Sequence, residues 1–373
     1  MKILHLIDHL GLGGAQSLVA DIFNNQISNE NIFLCALRSK TIETEIKHRN
    51  VYNNSSTQIF SFKPLIFLRK LIIRENIDII HCHLMGSEYT GYLLKKLFFP
   101  EIVLIFHEHG KILSGAKYYP KVLKLISEKI DLIIAISKST KLGLTTKAGI
   151  DDDKIRMIYN FIDTEKFNKI NISWDINKEK NKLNLDPNDF IVGFAGRIVG
   201  MKGWREFILS SKILTTNYSN FQFIIAGDGN DKDNLLDLIN QLNLQNHVQY
   251  IGFQSNMKKF YSMLDCIVVP SHYEPMGLTP IEAQAMGVPV IVSNVPALNE
   301  IIHHGEDALF FEVKNSYDLS KKILMIYNDK ILRAKLIRNG LVNSKLYSMT
   351  KYFRELDHTY QKTLDNHNSL LDE

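Results

Sequence analysis

Cysteine is scarce in this chain, with three residues among 373. Cys35, Cys82 and Cys266 lie far apart and form no Cys-x-x-Cys pair. This spacing argues against a zinc site built from cysteines and against a disulfide framework. Because free cysteines suit a reducing compartment, we expect a cytoplasmic protein.

Long apolar runs are also missing. No stretch reaches the roughly 18 apolar residues of a membrane-spanning helix, so none is predicted. The opening segment MKILHLIDHLGLGG contains His5, Asp8 and His9, and therefore lacks the uninterrupted apolar stretch of a signal peptide. The formal net charge of +4 is too small to indicate a nucleic-acid partner, and we predict none.

The residues that are present predict a soluble α/β protein. Short apolar runs alternate with helical patterns along the whole chain, which is typical of parallel sheets covered by helices on both faces. The chain is longer than one hydrophobic core usually supports, so we expect two domains. The predicted strands are Lys2–Ile7, Ile32–Leu37, Ile77–His81, Ile102–His107, Leu132–Ile136, Phe190–Ala195, Phe221–Ala226, Val248–Ile251, Cys266–Val269 and Val288–Val292.

The alternation of strands and helices occurs twice and predicts two Rossmann-like domains. We place the first at residues 1–165 and the second at 190–345. A polar segment rich in Asn and Lys, 166–189, is the predicted linker. The last segment, 346–373, has large apolar residues at helical spacing, so we expect a helix that packs back on the first domain.

The segment HYEPMGLTPIEAQAMG, at residues 272–287, predicts an anion-binding helix start after a strand. Thr279 and Pro280 are favoured at the first positions of a helix, and Gly287 at its end. Gly277 would let a ligand approach the backbone closely. Because the first N–H groups of a helix have no intrahelical partner, such a turn suits an anion.

Two acids lie within this segment, eight residues apart. Glu282 has a local alternative role, because Thr279-x-x-Glu282 fits a capping box in which the acid caps its own helix. Glu274 precedes Pro275 and has no local helix to cap, although a solvated loop acid is the alternative. Both acids are therefore candidate site residues.

A second glycine-rich loop, GRIVGMKG at residues 196–203, follows the strand predicted at Phe190–Ala195. Arg197 offers a planar fork and Lys202 a mobile point charge, a combination suited to a diphosphate. The loop lacks the Gly-Lys-Ser/Thr sequence of a P-loop, which disfavours a nucleoside triphosphatase. A charged surface loop is the alternative interpretation.

Candidate residues also follow strands of the first domain. Gly13 and Gly14 lie in a loop that lacks the third glycine of a dinucleotide fingerprint, so we expect no nicotinamide cofactor; a simple tight turn is the alternative. His107 and His109 lie on the same side of a strand, which could indicate a metal. No third ligand has recognisable spacing, and we predict no metal site there. The acidic run 151–153 reads as a solvated turn.

Together, these motifs resemble those of the retaining glycosyltransferases of family four. The shared features are Glu-x7-Glu, Gly-Arg-x4-Lys-Gly, an N-terminal Gly-Gly loop and two Rossmann-like halves. In IYNFID, Phe161 stands where the family usually has glycine. The resemblance covers nearly the whole chain. It implies an α/β protein of the GT-B fold, whose two Rossmann-like domains have parallel sheets facing across a cleft.

The resemblance further implies a metal-independent, retaining hexosyltransferase that needs no cofactor. The donor would be a UDP- or GDP-linked sugar, and the acceptor a glycan or lipid-linked hydroxyl in bacterial surface polysaccharide or glycolipid synthesis. In this family, the matching residues bind the diphosphate, face the transferred sugar or hold the ribose. The implied catalytic residues are Arg197, Lys202, Glu274 and His107, with His109 as the substitute for His107, and the implied donor-binding residues are Gly13, Gly14, Gly277, Leu278, Thr279 and Glu282.

Charge is unevenly distributed within the first domain. Residues 63–147 contain 14 Lys and Arg against seven Asp and Glu. Basic and apolar residues together in KPLIFLRKLIIRE could rest on an anionic membrane and meet a lipid-linked acceptor. A plain amphipathic helix with a solvated face is the alternative.

Two other functions remain open at this level. One is a different GT-B enzyme, a sugar-nucleotide epimerase or a phosphorylase, although a pyridoxal-linked phosphorylase would need a Schiff-base lysine. The other is a catalytically silent partner that binds a nucleotide sugar to support another transferase.

Overall fold

The computed structural model describes residues 1–11, 13–38, 46–53, 63–113 and 117–371; Leu12, from the predicted Gly-Gly loop, lies outside them. The chain divides into two compact units. The first comprises Met1–Asn160 together with Tyr352–Glu373, and the second comprises Phe161–Lys351. The segment predicted as a linker, 166–189, thus lies within the second unit.

The first unit is built on a parallel sheet with strand order β3-β2-β1-β4-β5-β6-β7. Its strands are β1 (Ile3–Ile7), β2 (Ile32–Ala36), β3 (Val51–Asn53), β4 (Ile79–His83), β5 (Val103–Glu108), β6 (Leu132–Ala135) and β7 (Ile155–Met157). Its helices are α1 (Gly14–Asn24), α2 (Lys63–Glu75), α3 (Met85–Leu97), α4 (Tyr119–Ile126), α5 (Lys138–Ala148) and, at the end of the chain, most of α14 (Met349–Leu371).

The second unit contains a parallel sheet with strand order β10-β9-β8-β11-β12-β13. Its strands are β8 (Phe190–Ala195), β9 (Phe221–Ala226), β10 (Val248–Gly252), β11 (Cys266–Val269), β12 (Val290–Ser293) and β13 (Leu309–Phe311). Its helices are α6 (Ile176–Lys182), α7 (Trp204–Thr215), α8 (Lys232–Gln241), α9 (Met257–Ser262), α10 (Leu278–Ala285), α11 (Pro296–Ile301), α12 (Ser316–Asn328) and α13 (Lys330–Ser344).

The predicted fold class, two α/β domains with parallel sheets, is confirmed. The bounds of β8, β9 and β11 are those predicted, because these strands are apolar runs, interrupted only by Gln222 of β9, and nearly all of their residues are buried. Strands β3, β7 and β13 were missed. Each has three residues and lies at the edge of its sheet, which is too short for a periodic pattern to show.

In each sheet the strand order reverses once, at a central strand, and this switch point determines where ligands can bind. In the second unit, β8 pairs in parallel with both β9 and β11. The chain therefore leaves the carboxyl ends of β8 and β11 on opposite sides of a crevice, the position where open α/β sheets bind ligands. In the first unit, β1 occupies the equivalent position between β2 and β4.

Helix α14 supplies part of the core of the first unit. Tyr352, Leu356 and Tyr360 are buried along one face of this helix. The Tyr360 hydroxyl lies 2.6 Å from Nδ1 of His81 on β4 and forms a hydrogen bond with it. Within the described residues, no helix is both long and apolar enough to cross a membrane.

Two further expectations can be compared with the structure. Phe161 is buried and does not have a positive φ, so this turn does not need the glycine that the family usually has. The acidic run 151–153 is exposed, as expected of a solvated turn, and its Asp152 forms an ion pair with Lys141 at 2.8 Å.

Candidate functional site

Two loops meet at the switch point of the second unit, one after β8 and one after β11. The backbone N–H of His272 donates a hydrogen bond to the carbonyl of Met201 at 2.8 Å and so joins the loops. Gly203 has φ +70°, and a Cβ built on it would overlap the carbonyl oxygen of Pro270. Both the left-handed conformation and this close approach therefore require glycine at position 203.

A third loop, after β9, holds the β8 loop from its other side. The Ile198 N–H donates to the carbonyl of Asp228 at 2.9 Å, and the Asp231 N–H donates to the carbonyl of Ile198 at 3.0 Å. Gly227 has φ +145°, and a Cβ there would overlap the carbonyl oxygen of Gly196. The loop that carries Arg197 and Lys202 is thus fixed by backbone contacts on two sides.

The structure brings Lys202 and Glu274 into direct contact. The Lys202 ammonium donates to Oε1 of Glu274, and the Ser271 hydroxyl donates to the same oxygen at 2.8 Å. Glu274 is 8% exposed and the Lys202 side chain 19% exposed, so this pair is largely shielded from water. Ser271 was not among the predicted site residues, because a lone serine at a strand end gives no signal in the sequence.

Arg197 lies on the same loop as Lys202 but differs from it in its surroundings. Its side chain is exposed, and it forms no hydrogen bond or ion pair with any residue that the structure describes. The Arg197 guanidinium therefore has no partner among the described residues, whereas Lys202 is held by Glu274.

Helix α10 begins two residues earlier than predicted. Its first residue is Leu278 and its N-cap is Gly277, with φ +90°, rather than Thr279. The predicted capping box between Thr279 and Glu282 is consequently not formed, because both residues lie inside the helix. Gly287, with φ +68°, follows the end of the helix as predicted.

Glu282 is held by a residue from another helix. Its Oε2 accepts a hydrogen bond from the buried Tyr261 hydroxyl of α9 at 2.6 Å. Burial, followed by the Glu282 charge, raises the pKa of Tyr261 well above 10.0, so this hydroxyl keeps its proton. Tyr261 was missed in the sequence because it lies 21 residues from its partner.

Gly13 and Gly14 lie at the start of α1, and only Gly14 faces open space. Gly13 is extended, with φ 162°, and a Cβ there would overlap only the flexible side chain of Gln16. A Cβ on Gly14, the first residue of α1, would meet no atom of the described chain within 4 Å. Backbone conformation does not demand glycine at either position, so the tight-turn alternative is not supported.

Five histidines form a layer on one face of the first sheet, hereafter the histidine layer. The sequence analysis did not find these histidines as a group, because they come from three different strands. Only the two His-x-His pairs, one in β4 and one at the end of β5, are visible in the sequence. The rings contact one another, with centroids 4.3 to 5.3 Å apart between His81 and His83, His107 and His109, and His5 and both residues of β4. Its members are His5, His81, His83, His107 and His109.

His107 lies at the centre of the histidine layer and is 0% exposed. A fully buried ring does not face a substrate, so we favour His109 over His107 for the predicted contact with the transferred sugar, and this contact stays a prediction. Neither of its ring nitrogens has a hydrogen-bond partner among the described residues. His109, just after β5, is only half-buried.

Burial keeps these imidazoles neutral. Desolvation lowers the pKa of His107 well below 6.5, and the neighbouring histidines lower it further. The same burial lowers the pKa of His5 to about 3 and that of His109 to about 4. At neutral pH the layer therefore presents uncharged ring nitrogens.

Comparison with known proteins gives matches along most of the chain. The model of Glycosyltransferase Family 4 matches residues 12–166, and the model of Glycosyl transferases group 1 matches residues 175–342. CapM of Staphylococcus aureus, a capsular polysaccharide biosynthesis glycosyltransferase, is 32% identical over 276 residues, covering 70% of this chain and 71% of CapM.

Two further proteins are similar over larger shares of the chain. The Escherichia coli UDP-Gal:alpha-D-GlcNAc-diphosphoundecaprenol alpha-1,3-galactosyltransferase is 27% identical over 299 residues, 76% of each protein. The crystal structure of Anabaena HepE in complex with UDP has a TM-score of 0.81 and 20% identity, covering 97% of this chain and 100% of HepE.

The contact between Gly203 and Pro270 leads to a stability prediction. Replacing Gly203 with alanine should lower the free energy of unfolding by roughly 1–2 kcal/mol through the left-handed conformation. Overlap with the Pro270 carbonyl should add about 1–3 kcal/mol. Gly305→Ala is the matched control, since Gly305 has φ +74° and no neighbour within 4 Å among the described residues. Equal losses in urea denaturation of the two variants would contradict the close approach.

The histidine layer leads to a prediction about acid stability. A histidine with a lowered pKa contributes stability above pH 6.5 that is lost as the pH falls through its folded pKa, because the unfolded chain takes up the proton first. Between pH 6.5 and 5, the free energy of unfolding of His107→Leu should therefore fall less steeply than that of the wild type, by up to about 1.4 kcal/mol per pH unit.

The measurement is urea denaturation at several pH values with EDTA present. The control is His358→Gln, which removes an exposed histidine and so tests whether the loss of any histidine has this effect. Parallel pH profiles for His107→Leu and the wild type would show that His107 is not held neutral by burial.

Proposed function

The chain belongs to glycosyltransferase family 4 and has the GT-B fold, and from this premise we propose that it is a retaining hexosyltransferase using a nucleoside-diphosphate sugar. The observation that carries the proposal is the Lys202–Glu274 pair at the switch point of the second unit, beside the first turn of α10. The donor would be UDP- or GDP-linked; HepE forms a complex with UDP, and the E. coli relative is named for UDP-Gal.

The leaving diphosphate needs cationic and N–H groups around it. Lys202 has three N–H donors, of which Glu274 uses one, so a phosphate oxygen can take another. Arg197 is exposed and can form a two-pronged hydrogen bond to the same group. The N–H groups of Leu278 and Thr279 open α10, where the helix dipole favours negative charge. These groups would stabilise the departing diphosphate without requiring a metal ion.

The two acids would hold the sugars of the donor. Glu274 is fixed by Lys202 and Ser271, so its second oxygen is positioned to accept from a hydroxyl of the transferred hexose. Glu282 is oriented by Tyr261 and would accept from the ribose hydroxyls. A Cβ on Gly14 would meet open space and one on Gly13 only the Gln16 side chain, and we assign both glycines to donor binding, as the family resemblance implies.

Retention of configuration would follow if the diphosphate leaves and the acceptor attacks on the same face of the sugar. The departing phosphate can take the acceptor's proton, so no separate protein base is needed. His109, half-buried at the carboxyl end of β5, is the histidine that we assign to the sugar in place of His107.

The acceptor class is inferred from the relatives. CapM is named for capsular polysaccharide, and the E. coli enzyme for an undecaprenol-linked acceptor. We assign this chain a glycan or lipid-linked hydroxyl in bacterial surface polysaccharide or glycolipid synthesis. On α2, the apolar Ile66 and Ile73 are exposed beside Arg69 and Lys70, which supports contact with an anionic membrane carrying such an acceptor.

The transferase proposal is tested by incubating the purified chain with UDP- and GDP-linked hexoses and measuring nucleotide release with and without lipid-linked glycans. Lys202→Ala should lower kcat about 100- to 1000-fold, because one donor to the leaving group is lost. Glu282→Ala should raise KM for the donor. The exposed Lys212→Ala, on α7, is the control and should leave both constants unchanged.

NMR of the product then reports the anomeric configuration, which should match that of the donor. Nucleotide release at the wild-type rate by a folded Lys202→Ala variant would contradict the role of the loop. Binding of a nucleotide sugar without turnover of any donor would instead favour the catalytically silent partner.

The membrane contact is tested by sedimentation with anionic and neutral vesicles. The chain should bind vesicles containing phosphatidylglycerol and lose binding at high salt, because Lys and Arg near the surface provide the attraction. Ile73→Glu on α2 should weaken binding. Ile331→Glu is the control, since Ile331 is also exposed but lies on α13 of the second unit. Equal vesicle binding by the two variants would exclude α2 as the contact.

A further inference from the structure

We propose that His83, His107 and His109 of the histidine layer form a binding site for a transition metal ion of the zinc class. One nitrogen from each ring lies within 4.8 Å of the others. The three residues come from the ends of neighbouring strands, with His83 on β4, His107 on β5 and His109 just beyond it.

The strand register explains why the three rings converge. His83 is paired with His107 across β4 and β5, so both side chains point to the same face of the sheet. His109 is two residues further along and returns to that face. The His107 and His109 rings stack with centroids 4.3 Å apart. Rigid strands thus provide two ligands, and the third lies next to them in the chain.

The distances suit a tetrahedral ion. Nδ1 of His83 lies 3.1 Å from Nε2 of His109. A zinc ion with Zn–N bonds of about 2.0–2.1 Å separates its ligand nitrogens by roughly 3.4 Å. This contact is thus close to one edge of a coordination tetrahedron, and the stacked rings would turn on binding so that their in-plane lone pairs converge on the ion.

His107 supplies the second, independent observation. Both its ring nitrogens are buried and lack hydrogen-bond partners among the described residues. A buried polar atom without a partner is costly, and a metal bond would satisfy one of these nitrogens.

The other members of the layer form the outer hydrogen bonds that metal-bound histidines usually have. If His83 binds through Nδ1, its Nε2 can donate to Nδ1 of His5, at 3.0 Å. Nε2 of His5 lies 3.5 Å from the Tyr360 hydroxyl, which hydrogen-bonds to His81 at 2.6 Å. This series of hydrogen bonds fixes the tautomer and the orientation of His83.

The ligand set selects the ion. Imidazole ligands favour zinc, copper or nickel over magnesium and calcium, which prefer oxygen. Three neutral imidazoles leave one position for water or an anion, as in three-histidine zinc sites. His109 would bind the ion through Nε2, which leaves Nδ1 of the same ring for the sugar to which we assign this histidine. We assign the ion itself no part in diphosphate departure.

The experiment uses the full-length chain without a histidine tag, stripped with a chelator. Titration calorimetry with Zn²⁺ should give one ion per chain, and Mg²⁺ should not compete. Co²⁺ should produce the intense visible absorption of a tetrahedral site, which zinc then removes. This spectrum comes from the wild type and so does not depend on the folding of any variant.

Two variants compare the loss of a metal ligand with the loss of an outer hydrogen bond. His109→Gln, at the half-buried position, should weaken zinc binding by about 100-fold or more, since a ligand is lost. His5→Leu removes an outer hydrogen bond and should weaken binding by about 10- to 100-fold. The exposed His358→Gln should bind as the wild type does. Thermal melts confirm that each variant is folded.

Several results would overturn the proposal. These are the absence of zinc binding by the wild type, an octahedral cobalt spectrum, and zinc binding that is unchanged in folded His109→Gln. None of these measurements involves transfer activity, so they are independent of whether the chain is a glycosyltransferase.

Discussion

The parallel pairing of one central strand with two neighbours is the constraint on which both units depend. In the second unit, β8 pairs with β9 and β11; in the first, β1 pairs with β2 and β4. Parallel strands place their carboxyl ends at one edge, so residues distant in the chain meet there. In the second unit this edge brings together a lysine loop and a glutamate loop. In the first unit, the parallel pairing gathers histidines on one face of the sheet.

The two units differ in how they shield polar side chains from water. The Lys202–Glu274 contact keeps opposite charges paired in a partly shielded position, and Ser271 satisfies the carboxylate further. The backbone around them approaches so closely that only Gly203 fits beside Pro270. The histidine layer is instead buried as neutral rings, because desolvation keeps protons off. The paired charges suit a charged ligand, and the neutral histidine rings suit a metal ion that binds to their nitrogens.

The sequence was sufficient for most of the framework. Apolar runs such as β8 gave correct strand bounds. A strand buried on both faces is apolar throughout, so it ends where the polar residues begin. The short edge strands could not be found, since three residues carry no period. The start of α10 was placed two residues late, because Gly277, with positive φ, is the N-cap where a cap at Thr279 was expected. His107 was preferred to His109 because sequence position does not report burial.

The succession of strands and helices along the chain and the spacing of the motifs were thus determined by the sequence itself, since they depend on local patterns within about 15 residues. The partners of the acids were decided only by tertiary structure. Tyr261 reaches Glu282 from another helix, and Lys202 reaches Glu274 across 72 residues. The convergence of histidines from three strands was likewise invisible in the sequence. Such contacts depend on strand order and register, which bring together residues that share no local signal.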